Sequence, residues 1–136
     1  MTDKELVLRA VTAREKAYAP YSGFCVGAAL LTESGKVYTG CNIENASLGA
    51  TICAERVAMT KAVSDGERKF AKIAIVGGKE GEDLVFCSPC GICRQFMAEF
   101  TNADFPVILG TPNDFRTYTL NELLLLAFTP KDLSVE

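Results

Sequence analysis

The sequence predicts an α/β domain, a three-layer α/β/α sandwich on a mixed five-stranded sheet. Three observations carry this expectation. Residues 25–32, Cys25-Val26-Gly27-Ala28-Ala29-Leu30-Leu31-Thr32, are almost wholly apolar, and a strand apolar on both faces must be covered on both. The turn Glu33-Ser34-Gly35-Lys36 separates this run from a second strand-like run, Val37 to Ile43, so the two form a hairpin. Beyond the hairpin, helical and strand-like segments alternate, the pattern of a sheet with helices packed on it.

Thr2-Asp3-Lys4-Glu5 is a capping box, with Leu6, Val7, Ala10, Ala13 and Ala17 following at helical spacing. This helix is expected to end near Tyr18, before Ala19-Pro20. Tyr21-Ser22-Gly23-Phe24 is a loop, and the hairpin follows. Asn45 to Ile52 is a small-residue loop, and Cys53 to Val63 a helix closed by Asp65-Gly66. Phe70 to Val76 is a third strand, followed by a Gly-rich loop, Gly77-Gly78-Lys79-Glu80-Gly81. Cys90 opens a helix that runs to about Phe100. Val107 to Gly110 is a fourth strand, and Phe115 to Tyr118 a candidate fifth. Thr119-Leu120-Asn121-Glu122 is a second capping box, starting a helix through Leu126. No repeat, linker or low-complexity stretch divides the chain, so residues 1–136 read as one domain. Right-handed crossovers bring the starts of the Cys53 and Cys90 helices to the same edge of the sheet.

Composition excludes several classes of function. Acidic residues (17) outnumber basic ones (14), and no basic run is present, so nothing is built to neutralise a nucleic-acid backbone. No apolar run reaches membrane-spanning length. The charged start, Met1-Thr2-Asp3-Lys4-Glu5, lacks the apolar core of a signal peptide, so the protein is expected in the cytoplasm. There the six cysteines point to metal or redox chemistry more than to disulfides. The chain has no histidine. Ser-His and Cys-His catalysis are therefore excluded, and acid–base work near neutral pH falls to a carboxylate, a thiol, a lysine or a metal-bound water.

Chemistry concentrates in Cys53-Ala54-Glu55-Arg56 and Pro89-Cys90-Gly91-Ile92-Cys93. Thiolates of Cys53, Cys90 and Cys93 can hold one Zn²⁺ and leave its fourth tetrahedral position open. Glu55 is placed to act as general acid and base without being a ligand. Three thiolates make the site net negative, which weakens the metal as a Lewis acid. Helix N-termini at Cys53 and Cys90 offset this, and Arg56, on the same helix face as Cys53, is placed to draw charge off its sulfur. Two readings from another class compete. Cys87-x-x-Cys90-x-x-Cys93 has iron–sulfur spacing, and Cys90-Gly91-Ile92-Cys93 resembles a redox dithiol. A closed four-cysteine zinc using Cys87 is a third option. None of these needs Glu55 or Arg56. Cys25 and Cys41, in strands, read as buried apolar residues.

Over nearly its whole length the sequence resembles the small cytidine deaminases of the zinc-dependent cytidine/deoxycytidylate deaminase family. The resemblance lies in Tyr18-Ala19-Pro20-Tyr21-Ser22, Val26-Gly27-Ala28-Ala29, Gly40-Cys41-Asn42-Ile43-Glu44-Asn45-Ala46, Cys53-Ala54-Glu55-Arg56 and Ser88-Pro89-Cys90-Gly91-Ile92-Cys93-Arg94-Gln95. It implies one zinc per chain on Cys53, Cys90 and Cys93, proton shuttling by Glu55, and charge compensation by Arg56. Attack at C4 of cytosine then releases ammonia, as in pyrimidine salvage. The resemblance also implies that Phe24 packs on the base, that Asn42 and Glu44 bind the ribose, and that Ala54 offers a backbone contact to the pyrimidine. Independently, an amide and a carboxylate two apart on a strand share a face and suit a sugar hydroxyl. A carboxylate there also disfavours a nearby 5′-phosphate. Deamination of a related nucleoside antibiotic such as blasticidin is the alternative within the enzyme class.

Two positions depart from the family pattern. Leu48 stands where the family commonly has tyrosine, which removes a hydroxyl. Leu124-Leu125-Leu126-Ala127-Phe128 stands where a Leu-Pro-x-Ala-Phe ending is common, and without the proline the last helix is expected to run further. Leu123 to Phe128, apolar all round a helix, needs a second covering surface. With the resemblance, this implies a homo-oligomer, a tetramer, in which Phe128 closes a neighbour's site.

Overall fold

The computed structural model describes residues 1–133. In chain order it contains α1 (Asp3–Arg14), β1 (Phe24–Thr32), β2 (Val37–Cys41), α2 (Ala54–Ser64), β3 (Phe70–Lys79), α3 (Gly91–Phe100), β4 (Pro106–Thr111), β5 (Asp114–Thr119) and α4 (Leu120–Leu123). The sheet order is β2-β1-β3-β4-β5. Only the β3–β4 pair is parallel; the other neighbours run antiparallel. The mixed five-stranded sheet is as expected, and Phe115 to Tyr118 does lie in the fifth strand.

Period-two alternation along β1 explains the layers. Ala28 and Leu30 point to one face, where they meet Ala54, Ala58 and Met59 of α2 and Met97 and Ala98 of α3. Ala29 points to the other, where Leu6, Val7 and Ala10 of α1 pack with Ala74, Val76 and Ile108. Both faces are dry, so the run has no polar face to expose. Burying each large aliphatic side chain in these layers contributes about 1.5–3 kcal/mol, and a one-residue slip of β1 would invert the whole set.

Four expectations about boundaries need correction. α1 stops at Arg14, because the backbone of Tyr18 is taken: its N–H donates to Asn42 O and its carbonyl accepts from Glu44 N–H. β2 stops at Cys41, and Ile43 instead forms single bridges with Tyr18 and Ile52. Gly77, Gly78 and Lys79 are strand, not loop, since they pair with Val26, Cys25 and Phe24 of β1. The helix from Thr119 has its capping box but lasts only to Leu123. Leu124 has a non-helical backbone (φ -143°, ψ 74°) and Leu126 has φ 54°, so residues 124–128 leave the helix despite the missing proline. Side chains of α3 hold this segment: Arg94 Nη1 donates to Leu123 O at 2.5 Å and Gln95 Nε2 to Phe128 O at 2.7 Å.

Candidate active site

Both motifs sit at helix starts on one face of the sheet. Cys53 is the N-cap of α2 and Cys90 the N-cap of α3, and the Cys90 sulfur accepts from Cys93 N–H. α2 is seated on a bare backbone. A Cβ on Gly40 would lie 2.5 Å from Ala54 O and 2.6 Å from Ala58 N, so glycine there lets the first turn of α2 lie directly on β2 and fixes where Cys53 emerges.

The three sulfurs converge. Cys53 and Cys90 Sγ are 3.6 Å apart, Cys90 and Cys93 Sγ 3.4 Å, and all three ligand atoms lie within 4.8 Å of one another. Zn–S bonds of about 2.3 Å in a tetrahedron require S···S separations of about 3.8 Å. The spacing fits zinc, and it is far beyond a disulfide bond; all six cysteines are free. Cys87 lies outside the three-sulfur group. A cluster that takes Cys53 and leaves out Cys87 disfavours both the iron–sulfur run and the closed four-cysteine site.

The surrounding charges suit thiolate. Hydrogen bonds from Cys93, Arg56 and Cys90 outweigh burial and pull the Cys53 thiol down to about 5. Cys93, which shares its proton with that thiolate and is buried, is pushed the other way. Arg56 Nη2 lies 3.8 Å from Cys53 Sγ and donates to Thr51 O at 3.2 Å, while its buried Nε has no hydrogen-bond partner among the described residues. This puts the guanidinium charge beside the sulfur, where a net-negative metal site would call for a cation.

Glu55 is 4% exposed. Burial above all, with the negative charge of Cys53 beside it, raises its carboxyl above the usual carboxylate range. A buried acid that holds its proton closer to neutral pH is suited to proton transfer. Burial chiefly, with the charges of Glu55 and Cys53 adding to it, pushes the Cys87 thiol up to about 11.

The structure places the expected substrate residues as follows. Phe24 begins β1 with a partly exposed ring, and Ala54 is fully buried at the first position of α2. Asn42 is buried with its amide engaged at both ends: Oδ1 accepts from Val26 N–H at 2.9 Å and Nδ2 donates to Phe24 O at 2.8 Å. Glu44 accepts from Tyr21 N–H, Ser22 N–H and Ser22 Oγ, and the hydroxyl bond above all lowers its carboxyl. Both side chains thus clamp the 21–26 segment that presents Phe24. Leu48 is 75% and Phe128 58% exposed. Sequence reasoning missed Gly40, Gly77 and Ser22. Ser22 belongs to the Tyr18-Ala19-Pro20-Tyr21-Ser22 motif, which by itself gives it no role, and the two glycines are explained only by what packs on them.

Cavities of about 620 and 540 Å³ lie elsewhere, lined by residues such as Arg68, Phe100 and Asp104 or Phe86, Arg116 and Tyr118. Neither is lined by a residue of the three-sulfur site. In a single chain the site is open, with Cys90 exposed.

A trio of sulfurs with an open coordination position, beside a buried carboxyl, defines a metal-assisted hydrolytic centre. A model of the cytidine and deoxycytidylate deaminase zinc-binding region matches residues 1–109. A cytidine deaminase of Sporosarcina psychrophila is 50% identical over 98% of this chain and 96% of its own. One from Halalkalibacterium halodurans is 48% identical over 98% and 99%. The crystal structure of cytidine deaminase from Burkholderia pseudomallei superposes with a TM-score of 0.87 at 47% identity, covering 94% of this chain and 100% of that one. The chain belongs to the zinc-dependent cytidine and deoxycytidylate deaminase family.

Proposed function

We propose that this protein converts cytidine and deoxycytidine, with water, to uridine and deoxyuridine plus ammonia, using one zinc held by Cys53, Cys90 and Cys93. The observation that carries this is the three-sulfur cluster with the buried carboxyl of Glu55 two residues from Cys53. Zinc held there by the three thiolates would supply an activated water. Glu55 takes the first water proton on its carboxylate and passes it to ring N3 as the water oxygen bonds C4; it then takes the second proton from the new C4 hydroxyl and delivers it to the amine, which leaves as ammonia as the C4 carbonyl forms. One buried carboxyl can serve each transfer in turn because water does not compete for it. Arg56 keeps the thiolates from accumulating charge. Phe24 stacks on the base, and the Ala54 backbone contacts its edge. Asn42 keeps one amide N–H in reserve, and Glu44 one carboxylate lone-pair site after three acceptances. These suit sugar hydroxyls, and Glu44 disfavours a 5′-phosphate. Absorbance loss with cytidine, compared with cytidine 5′-phosphate, tests the reading: turnover of the nucleoside alone is expected, and phosphate preference would contradict it.

Replacing Cys87 by Ala is expected to leave one zinc per chain, measured by metal analysis, because Cys87 stands outside the sulfur group. Loss of the metal in that variant would show a closed site.

We further propose a homotetramer in which Phe128 reaches a neighbour's site. Leu125 (71%), Leu126 (92%) and Phe128 (58%) are exposed along the segment after α4, an apolar patch that a partner surface would cover, and the open site needs a roof to exclude water. Sedimentation is expected to give four chains. Mixing inactive Glu55→Gln chains with weak Phe128→Ala chains, under subunit exchange, is expected to raise activity; no gain despite proven exchange would show that each chain closes its own site. Among the described residues no helix is long and apolar enough to cross a membrane, in keeping with a cytoplasmic role in pyrimidine salvage.

A further inference from the structure

The geometry points to Gly77 and Cys87 as positioning residues for Phe24: the bare backbone of Gly77 is the floor on which the ring edge of Phe24 and the side chain of Cys87 meet. The inference rests on the nucleoside reading given above.

The register builds this floor. Gly77 of β3 faces Val26 of β1, and Val26 packs on the α2/α3 side of the sheet. Phe24, two residues earlier, shares that side and lies diagonal to Gly77. On the other flank, Val85 pairs with Gly77 in a single antiparallel bridge, its N–H donating to Gly77 O at 2.8 Å. That bridge returns the 80–88 loop to the sheet and brings Cys87 over Gly77. A Cβ added to Gly77 would lie 2.9 Å from Phe24 Cε1, 2.9 Å from Cys87 Sγ and 3.0 Å from Cys87 Cβ. The two 2.9 Å contacts are closer than real side-chain packing allows and the third is tighter than most, so ring and thiol together occupy the volume a side chain would fill. Gly77 is at an ordinary strand conformation and needs no positive φ. Its glycine therefore serves a steric purpose. The backbone of the Phe24 segment is already tied by Asn42 and Glu44. The ring's remaining freedom is its tilt, and the sulfur on one side and the strand beneath limit it.

Overpacking by one methyl forces neighbours to shift, an effect equivalent to roughly tenfold in an equilibrium constant. Gly77→Ala is therefore expected to raise KM for cytidine, and Kd for the product uridine by calorimetric titration, about tenfold. Zinc content stays at one per chain and kcat changes less, since stacking acts on ground and transition states alike. Adding Cys87→Ala to that variant removes the sulfur from the contested volume and is expected to recover part of the uridine affinity. Cys87→Leu, which presses on the ring from the other side, weakens uridine in its own right and serves if Gly77→Ala does not fold. Multiplicative losses in the double variant, or wild-type uridine affinity in Gly77→Ala or Cys87→Leu, would overturn the inference. Phe24→Ala separates the two levels. If it leaves uridine affinity unchanged, the stacking role of Phe24 fails, and this inference with it. If it weakens uridine while Gly77→Ala and Cys87→Leu do not, only the positioning role fails.

Discussion

Replacing Glu55 by Gln is expected to leave one zinc per chain and to lower cytidine turnover by about 10⁴-fold or more. General acid–base assistance in a single step is worth roughly 10²–10⁴-fold, and here one group serves the water, N3 and the leaving amine. The amide is nearly the same size, so the buried position beneath α2, 4% exposed in the acid, stays packed. It can neither accept the water proton nor deliver one. Because Glu55 is not among the three sulfurs that converge, metal content is unaffected. Metal analysis and single-turnover absorbance on the same preparation check both halves. Turnover within tenfold of the parent would place the proton shuttle elsewhere.

The second large effect is expected at Cys93. Cys93→Ala removes a fully buried sulfur that lies 3.4 Å from Cys90 Sγ. Two thiolates do not complete a tight zinc site, since structural and catalytic sites alike use at least three protein ligands. Zinc is expected to be lost on dialysis and turnover with it. The parent is expected to melt at lower temperature when stripped of metal, because zinc binds the folded chain and stabilises it by mass action; the variant, holding no zinc, should melt alike with and without added zinc. A Cys93→Ala protein that keeps stoichiometric zinc would exclude Cys93 as a ligand. The contrast with Cys87→Ala matters here, because both residues sit in the same run of cysteines at equal spacing from Cys90.

Much of this was legible in the residues because local rules and the tertiary fold agree. Cys53 and Cys90 are N-caps, each at the start of a periodic segment, and parallel crossovers bring such starts together. The two-faced apolar run of β1 required two helical layers and has them. What could not be read was set by partners distant in sequence. Gly77 to Lys79 read as a loop because glycines break strands, yet β1 supplies their ladder and Phe24 and Cys87 fill the space above. The end of α4 read as helix because it is rich in leucine, but Arg94 and Gln95 take the carbonyls of Leu123 and Phe128. The bonds that tie the Asn42 amide to the Phe24 carbonyl and the Val26 N–H could not be read either, because those partners lie 18 and 16 residues away in sequence.

The most direct test of zinc-dependent deamination is a titration of metal-stripped protein with Zn²⁺, following cytidine absorbance and released ammonia together. The stripped protein is expected to be inactive, and activity to rise linearly with added zinc and level off at one per chain, with ammonia equal to the uridine formed. Full activity without metal, or a zinc-loaded protein that leaves cytidine unchanged, would contradict the account.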